Sequence, residues 1–324
     1  MNRKLYIAAC ASLMLAACAG AAVTSLPYAT DAHDAWQAQP SSTRTIGLGL
    51  PGGSMLAQGV TYAGGVQLLT PTVSPLRSLS DLKLVGDDEF ITVSDSGDLV
   101  RGRLRLDDAG NLAGLDALRS RRLTALDSRA IEQKADGDAE GLALLANGDL
   151  LVSFEGDHRI WNYGTLDAIT APKPVPHPLW DFARNGGMEG LAAHQNKWRV
   201  AGEDGGVWDC DPLACLAVSL PSANAPKDSD YRTTGLDRDP SGQGYWVVQR
   251  AFTPPMDARA RVRRMGEDGQ LGPVLVELKL PGTTDNFEGI AATVRGDKTR
   301  IYILSDDNQN PLQRTLMLAF DIQR

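Results

Sequence analysis

Apolar runs in this chain are short, come in pairs, and are parted by turn residues. In "EGLALLANGDLLVSFE", residues 140–155, two such runs flank Asn147-Gly148, a dipeptide that strongly favours a tight hairpin. Positions equidistant from a hairpin turn face each other across an antiparallel ladder, so Glu140 and Glu155 are predicted neighbours. The same construction sets Glu189 opposite Glu203 around "QNK", Glu288 opposite Asp306 around "RGDK", and Asp81 opposite Asp95 around "GDDE". Thr234 and Gln249 flank "DPSG" in the same way, without the charge.

Each of these hairpins opens on an acid, a glycine and an apolar strand. The glycines are Gly141, Gly190 and Gly289, with Gly235 in "TTGLD" as an uncharged member and "SDLKLV" at 80–85 as a degenerate copy. Spacings of roughly 45 to 55 residues belong to propeller blades, each a four-stranded antiparallel sheet. The fold class expected is therefore all-β, a single β-propeller of six four-stranded blades, with five or seven left open. "GVTYAGGVQLLTP" at 59–71 supplies strand material before the first copy, and "TLMLAFDI" at 315–322 can pair with it, closing the ring through the two ends of the chain. If the repeat opens the innermost strand of every blade, the acids gather at one end of the central channel.

Composition agrees with a single turn-dense domain. The 324 residues are 43% hydrophobic, and 33 glycines and 18 prolines are scattered among β-rich runs instead of pooled in a linker. The formal charge is −8, and more negative by two without Arg3 and Lys4, which argues against a nucleic-acid partner and suits a protein that concentrates cations.

The first residues form an export signal: "MNRK" is basic, "LYIAACASLMLA" is apolar but too short for a mature membrane span, and "LAAC" ends at Cys18. That tetrapeptide resembles the lipobox of bacterial lipoproteins, which implies cleavage before Cys18 and lipidation of its sulfur. Ala19 resembles the residue that permits sorting to an outer membrane. The domains expected are a signal peptide at 1–17, a flexible tether at 18–45 and the propeller at 46–324. The protein is expected at the cell envelope, on the periplasmic face of the outer membrane, held to it through the lipid on Cys18, and monomeric. Export also leaves Cys210 and Cys215 of "CDPLAC" in an oxidising compartment, where a local disulfide is expected.

Like charges facing each other destabilise a sheet, so the paired acids need either hydrogen-bond donors or a bound cation. In the structural reading each acid accepts backbone amides of a neighbouring blade and staples the ring. In the chemical reading the acids share a cation. Calcium, which takes six to eight oxygen ligands, fits a chain whose four histidines do not cluster. The candidate metal ligands are Glu140, Glu155, Glu189, Glu203, Glu288, Asp306 and Asp307, the last two from the oxygen-rich "SDDNQN" at 305–310. Glu140 and Glu288 are the candidate catalytic carboxylates. His158, Arg159 and Arg250 follow the second strands of their hairpins and are the candidate contacts for an anionic substrate.

Other patterns lose force in context. "GLGLPG" at 47–52 lacks a following helix, "DRDPSG" at 237–242 lacks the closing acid of a calcium loop, and no Gly-x-Ser-x-Gly elbow occurs.

"ADGDAEGLALLANGDLLVSFEGDHRIWNYG", "NGGMEGLAA" and "DNFEGIAATVRGDKTRIYILSDDNQNPLQRTLMLAFDI" resemble the bacterial phytase-like β-propeller domain, the esterase-like activity of phytase family, in order from about Tyr62 to the C-terminus. The resemblance implies a propeller, export, and an ester or phosphoester hydrolase, with no established catalytic set to carry over. The leading expectation is a calcium-dependent hydrolase of small phosphate or carboxylic esters. A non-catalytic lipoprotein propeller that binds a ligand or envelope partner is the alternative from another class, and a lactonase-like enzyme using the same ring around one calcium is a third.

Overall fold

The computed structural model describes residues 35–221, 231–253 and 257–324. The signal peptide, Cys18 and most of the tether lie outside the described residues. Among those described, the strands sort into five four-stranded antiparallel units around one axis. Blade I contains Leu79–Val85, Glu89–Ser94, Asp98–Leu106 and Leu112–Arg122; blade II contains Ala139–Leu144, Asp149–Phe154, Arg159–Thr165 and Ala168–Val175. Blade III contains Gly190–His194, Lys197–Ala201, Val207–Cys210 and Cys215–Ser219; blade IV contains Arg232–Arg238, Tyr245–Thr253, Asp257–Met265 and Leu271–Lys279. Blade V takes Asn286–Arg295, Lys298–Asp306 and Leu316–Gln323 from the end of the chain and Val60–Leu69 from its start.

The first strand of each blade is the innermost, and these strands contact one another in a closed cycle from I to V and back to I. The expected joining of chain start to chain end is therefore present, with Phe320 paired to Tyr62 and Asp321 to Thr61. The blade count needs correction from six to five among the described residues. The strand at 60–69 is the fourth strand of the last blade, so the five copies of the repeat are the five blades.

Burial on both faces explains the apolar runs of the second strands. Alternate residues of a strand point to opposite sides, and in "LLVSF" Leu150, Val152 and Phe154 pack into the interface with blade I while Leu151 packs into that with blade III. The core is accordingly five separate clusters, one for each blade-to-blade interface. At the predicted Asn147-Gly148 hairpin, the Gly148 amide donates to Leu145 O and Gly148 has φ +88°, so a turn followed by a left-handed glycine makes the connection.

The expected tether ends earlier than residue 45. Gln37–Ala38 adds to the outer strand of blade I, Ser42–Thr45 to that of blade V, and Ser54–Leu56 to that of blade IV. These segments cover three sheet edges that would otherwise present unpaired backbone groups. Cys210 and Cys215 form the expected disulfide, across directly paired positions of blade III.

Candidate functional site

In blades II, III and V the acid of the repeat stands at the channel end of the innermost strand, and in blades II and V the ladder there carries a register shift. In blade II, Ser153 pairs with Gly141 and Phe154 with Ala139, so Glu140 is the extra residue of a bulge. Thr234 and Glu288 occupy the same position in blades IV and V. A bulge leaves one residue unpaired and re-aims its side chain. The consequence is that Glu140 and Glu155 do not face each other in the ladder; the Glu155 amide donates to Asp138 O instead, at 2.7 Å. Likewise the Glu203 amide donates to Gly187 O, and Asp306 pairs with Asn286.

The glycine after the acid meets a separate need. A Cβ on Gly235 would lie 2.3 Å from Glu288 O, one on Gly141 3.0 Å from Glu189 O, and one on Gly289 2.7 Å from the backbone carbon of Asp81. In blades II, IV and V the innermost strand backs so closely onto the next that a side chain there would collide with its backbone.

Blade I differs. The ladder places Ser80, not Asp81, at the position of Glu140, and Asp81 takes the glycine position with φ +41°. The Asp81 carboxylate accepts the amides of Leu82 and of Leu142 in blade II, each at 2.7 Å, and both its oxygens lie 2.6 Å from Lys83 Nζ. Asp81 is thus a tie between blades, as the structural reading of the acids requires.

The other acids converge. A cavity of about 340 Å³ at the end of the channel is lined by eight carboxylates and by only two cationic side chains, Lys134 and Arg250. Glu140, Glu189 and Glu288 reach it from first strands; Asp95, Glu155, Glu203 and Asp306 reach it from the ends of second strands or just beyond them, and Asp138 from the connection between blades I and II. Glu288 accepts from Asn286 Nδ2 at 2.8 Å and Ser80 Oγ at 3.3 Å, and its Oε1 lies 3.3 Å from Arg250 Nε. Asp306 accepts the Asn308 amide at 2.6 Å, and Glu203 lies 3.5 Å from both Arg250 and Arg232. No donor among the described residues hydrogen-bonds to the carboxylates of Glu140, Glu155 or Glu189. Asp95 Oδ1 is also buried without a partner.

Burial and mutual repulsion set the protonation of this group. Burial, then the charges of Glu189 and Glu288, raises Glu140 well above the ordinary carboxylate range. Glu189 is raised well above it by burial, then Glu203 and Glu288, against the opposing pull of Arg250. Asp306 follows for the same reasons, burial and then Glu288. Burial, then Asp138 and Glu203, pushes Glu155 up to about 7.

Oxygens of Asp138, Glu140 and Glu155 lie within 4.8 Å of one another. Ligands on a common calcium at about 2.3–2.6 Å stand no more than about 5 Å apart, so the trio has the donor type and spacing for that ion. Asp138 and Lys134 were not among the residues singled out from sequence. The only trace of Asp138 there is its place two residues before Glu140, which marks the site once the bulge is known.

The remaining candidates separate. Arg250 lines the cavity, whereas His158 and Arg159 do not. His158 Nε2 lies 3.0 Å from Ala183 O, and Arg159 stacks between Phe154 and Trp161, at 4.2 and 4.4 Å from the ring centres, in a separate cavity. Asp307 also turns away, its oxygens taken by the amides of Ser78 and Gln309, each at 3.0 Å, by Thr315 Oγ1 at 3.2 Å and by Arg77 Nε at 2.9 Å. That saturation removes Asp307 from the set of metal ligands.

A family profile described as "Phytase-like: Esterase-like activity of phytase" matches residues 74–309. No curated protein is matched. Among solved structures, a protein whose assignment as a gluconolactonase is provisional shares 12% identity at a TM-score of 0.44, over 89% of this chain and 99% of its own. The Malassezia sympodialis allergen Mala s 1 shares 13% at 0.42, over 86% and 92%. A luciferin-regenerating enzyme shares 12% at 0.40, over 88% and 97%. Likenesses at this level carry no argument about chemistry.

Proposed function

The chain belongs to the esterase-like activity of phytase family, and from that premise we propose that it is an exported, calcium-dependent hydrolase of small phosphate or carboxylic esters, acting in the acid-lined cavity. The observation that carries the reading is that Glu140 and Glu155 on the cavity wall, and the buried Glu189 beside them, accept no donor among the described residues. Carboxylates of purely architectural use are tied, as Asp81 and Asp307 are. Untied ones among eight acids, met by Lys134, Arg250 and Arg232 among the described residues, call for positive charge from outside.

Asp138, Glu140 and Glu155 would hold the calcium, with Glu189 completing the negative wall. Such an ion lowers the pKa of a coordinated water and polarises an ester oxygen. The chain's own residues supply the rest. Glu288, oriented by Asn286, Ser80 and Arg250, takes the proton from the attacking water. Arg250 holds its two acids at 3.3 and 3.5 Å, contacts long enough to be exchanged for the phosphate or carboxylate of a substrate. Of the two roles expected for Glu140, base and metal ligand, it takes the second in this arrangement.

The test is calcium titration calorimetry on the wild-type protein, with p-nitrophenyl phosphate and acetate hydrolysis measured with and without chelator. Binding with chelator-sensitive turnover, and loss of at least 100-fold in kcat for Glu288→Gln without loss of fold, is the expected result. Turnover indifferent to chelator removes calcium; binding without turnover favours a ligand-binding propeller. The same proposal holds the monomer at the envelope through lipid on Cys18, and Cys18→Ala should release it from the membrane fraction.

A further inference from the structure

Lys134 is on a single helical turn, Lys134–Gly137, in the connection between blades I and II, where the side chain stays 56% exposed. Its ammonium nonetheless reaches into the acid cavity and pairs with Asp95 Oδ2 and, at 3.1 Å, with Asp138 Oδ1. Burial alone would lower its pKa, but Asp95, Asp138 and Glu140 outweigh that and hold the amine charged.

Asp138 is therefore shared. It is one of the three residues whose oxygens are spaced for a divalent ion, and it is already bonded to a cation that belongs to the chain. Resting on the calcium reading of the cavity, we propose that Lys134 is a tethered stand-in cation: its ammonium neutralises Asp95 and Asp138 when no metal is bound, and a divalent ion must displace it.

Two features suit the side chain to leave. A turn of four residues has no helical stability of its own, so the backbone that carries Lys134 is not a rigid mount. The side chain is also more than half exposed, so it has solvent to swing into, unlike that of Arg250, which is 22% exposed and enclosed among Glu203 and Glu288. The swing leaves the amine at the cavity mouth, where an anionic substrate would enter.

A competitor lowers the apparent affinity of the ion it competes with, so removing its charge must raise that affinity. Calcium titration calorimetry on the full chain should show Lys134→Met binding calcium at least tenfold more tightly than wild type, with Lys134→Arg close to wild type because the charge is kept. In chelator Lys134→Met should melt lower than wild type, since Asp95 and Asp138 lose their counter-ion, and calcium should raise its melting temperature by more. If wild type binds no calcium, the metal reading falls and this inference with it. If wild type binds but Lys134→Met binds equally or more weakly, the metal reading stands and Lys134 is instead part of the site or mere surface.

Discussion

The acid cavity makes a prediction with an unusual sign: removing a charge from it should stabilise the calcium-free protein. Glu155 is the residue for which the size can be worked out. Its carboxyl moves from an ordinary 4.5 to about 7, chiefly through burial and then through Asp138 and Glu203. At about 1.4 kcal/mol for each tenfold change, the full shift corresponds to roughly 3 kcal/mol. Glu155 is only half-buried, and solvent screening reduces the expected figure to about 1–2 kcal/mol. Because its folded pKa is raised, this group's contribution to stability is fully present below 4.5 and is lost as pH climbs towards 7. Glu155→Gln keeps the shape and removes the titration. In chelator at pH 8 the variant should melt about 2–3 °C above wild type, and the gain should shrink towards nothing as the pH is lowered to 4.5. With saturating calcium the order should reverse, since the variant loses one of three ligands. Scanning calorimetry across that pH range reads all three effects. A variant that melts at or below wild type in chelator at pH 8 would refute the argument, because the carboxylate would then be earning stability from a partner.

The remaining expectations concern the architecture and the ion. Asp81→Ala takes the acceptor from the Leu82 and Leu142 amides of two strands and leaves the buried Lys83 without its carboxylate, at a cost of about 3–5 kcal/mol in urea unfolding, while calcium affinity in the folded protein stays unchanged. Cys210→Ser with Cys215→Ser opens only a very short loop, so it should cost about 2 kcal/mol and leave hydrolysis untouched. Calcium affinity should rise as pH goes from 5 to 8, since Glu155 must shed its proton to bind, and a pH-jump titration with a dye should show protons released on binding.

The propeller was legible because its period is written in the chemistry of strands buried on both faces. Runs such as "LLVSF" have no solvent side, and the turn residues between them mark where each sheet reverses. The blade count was not legible in the same way. Nothing in "GVTYAGGVQLL" says that it pairs with the last strand of the chain as the outermost member of a blade rather than starting one. Register failed for a related reason: an extra residue in a strand has no sequence marker, so counting outward from the turn aligned Glu155 with Glu140 when its backbone partner is Asp138. In blade I the same slip pointed to Asp81 where the ladder has Ser80.

Those two errors explain the Glu-Gly repeat itself. The dipeptide looked like one signal, yet it answers two demands that happen to be adjacent. Glycine is required because the next blade's backbone lies within 2.3–3.0 Å of where a Cβ would be in blades II, IV and V. The acid sits before it because the bulge that accommodates this approach leaves one residue free of the ladder and turned to the channel. Close packing of the inner strands thus creates, in blades II, IV and V, a position whose side chain is not committed to the sheet. Thr234 shows that architecture is content with a hydroxyl there, bonded to Phe287 O at 2.9 Å, and Ser80 shows it again. Glutamate at the other three positions brings burial and repulsion that those hydroxyls avoid, so the architecture that accepts a hydroxyl does not by itself account for it.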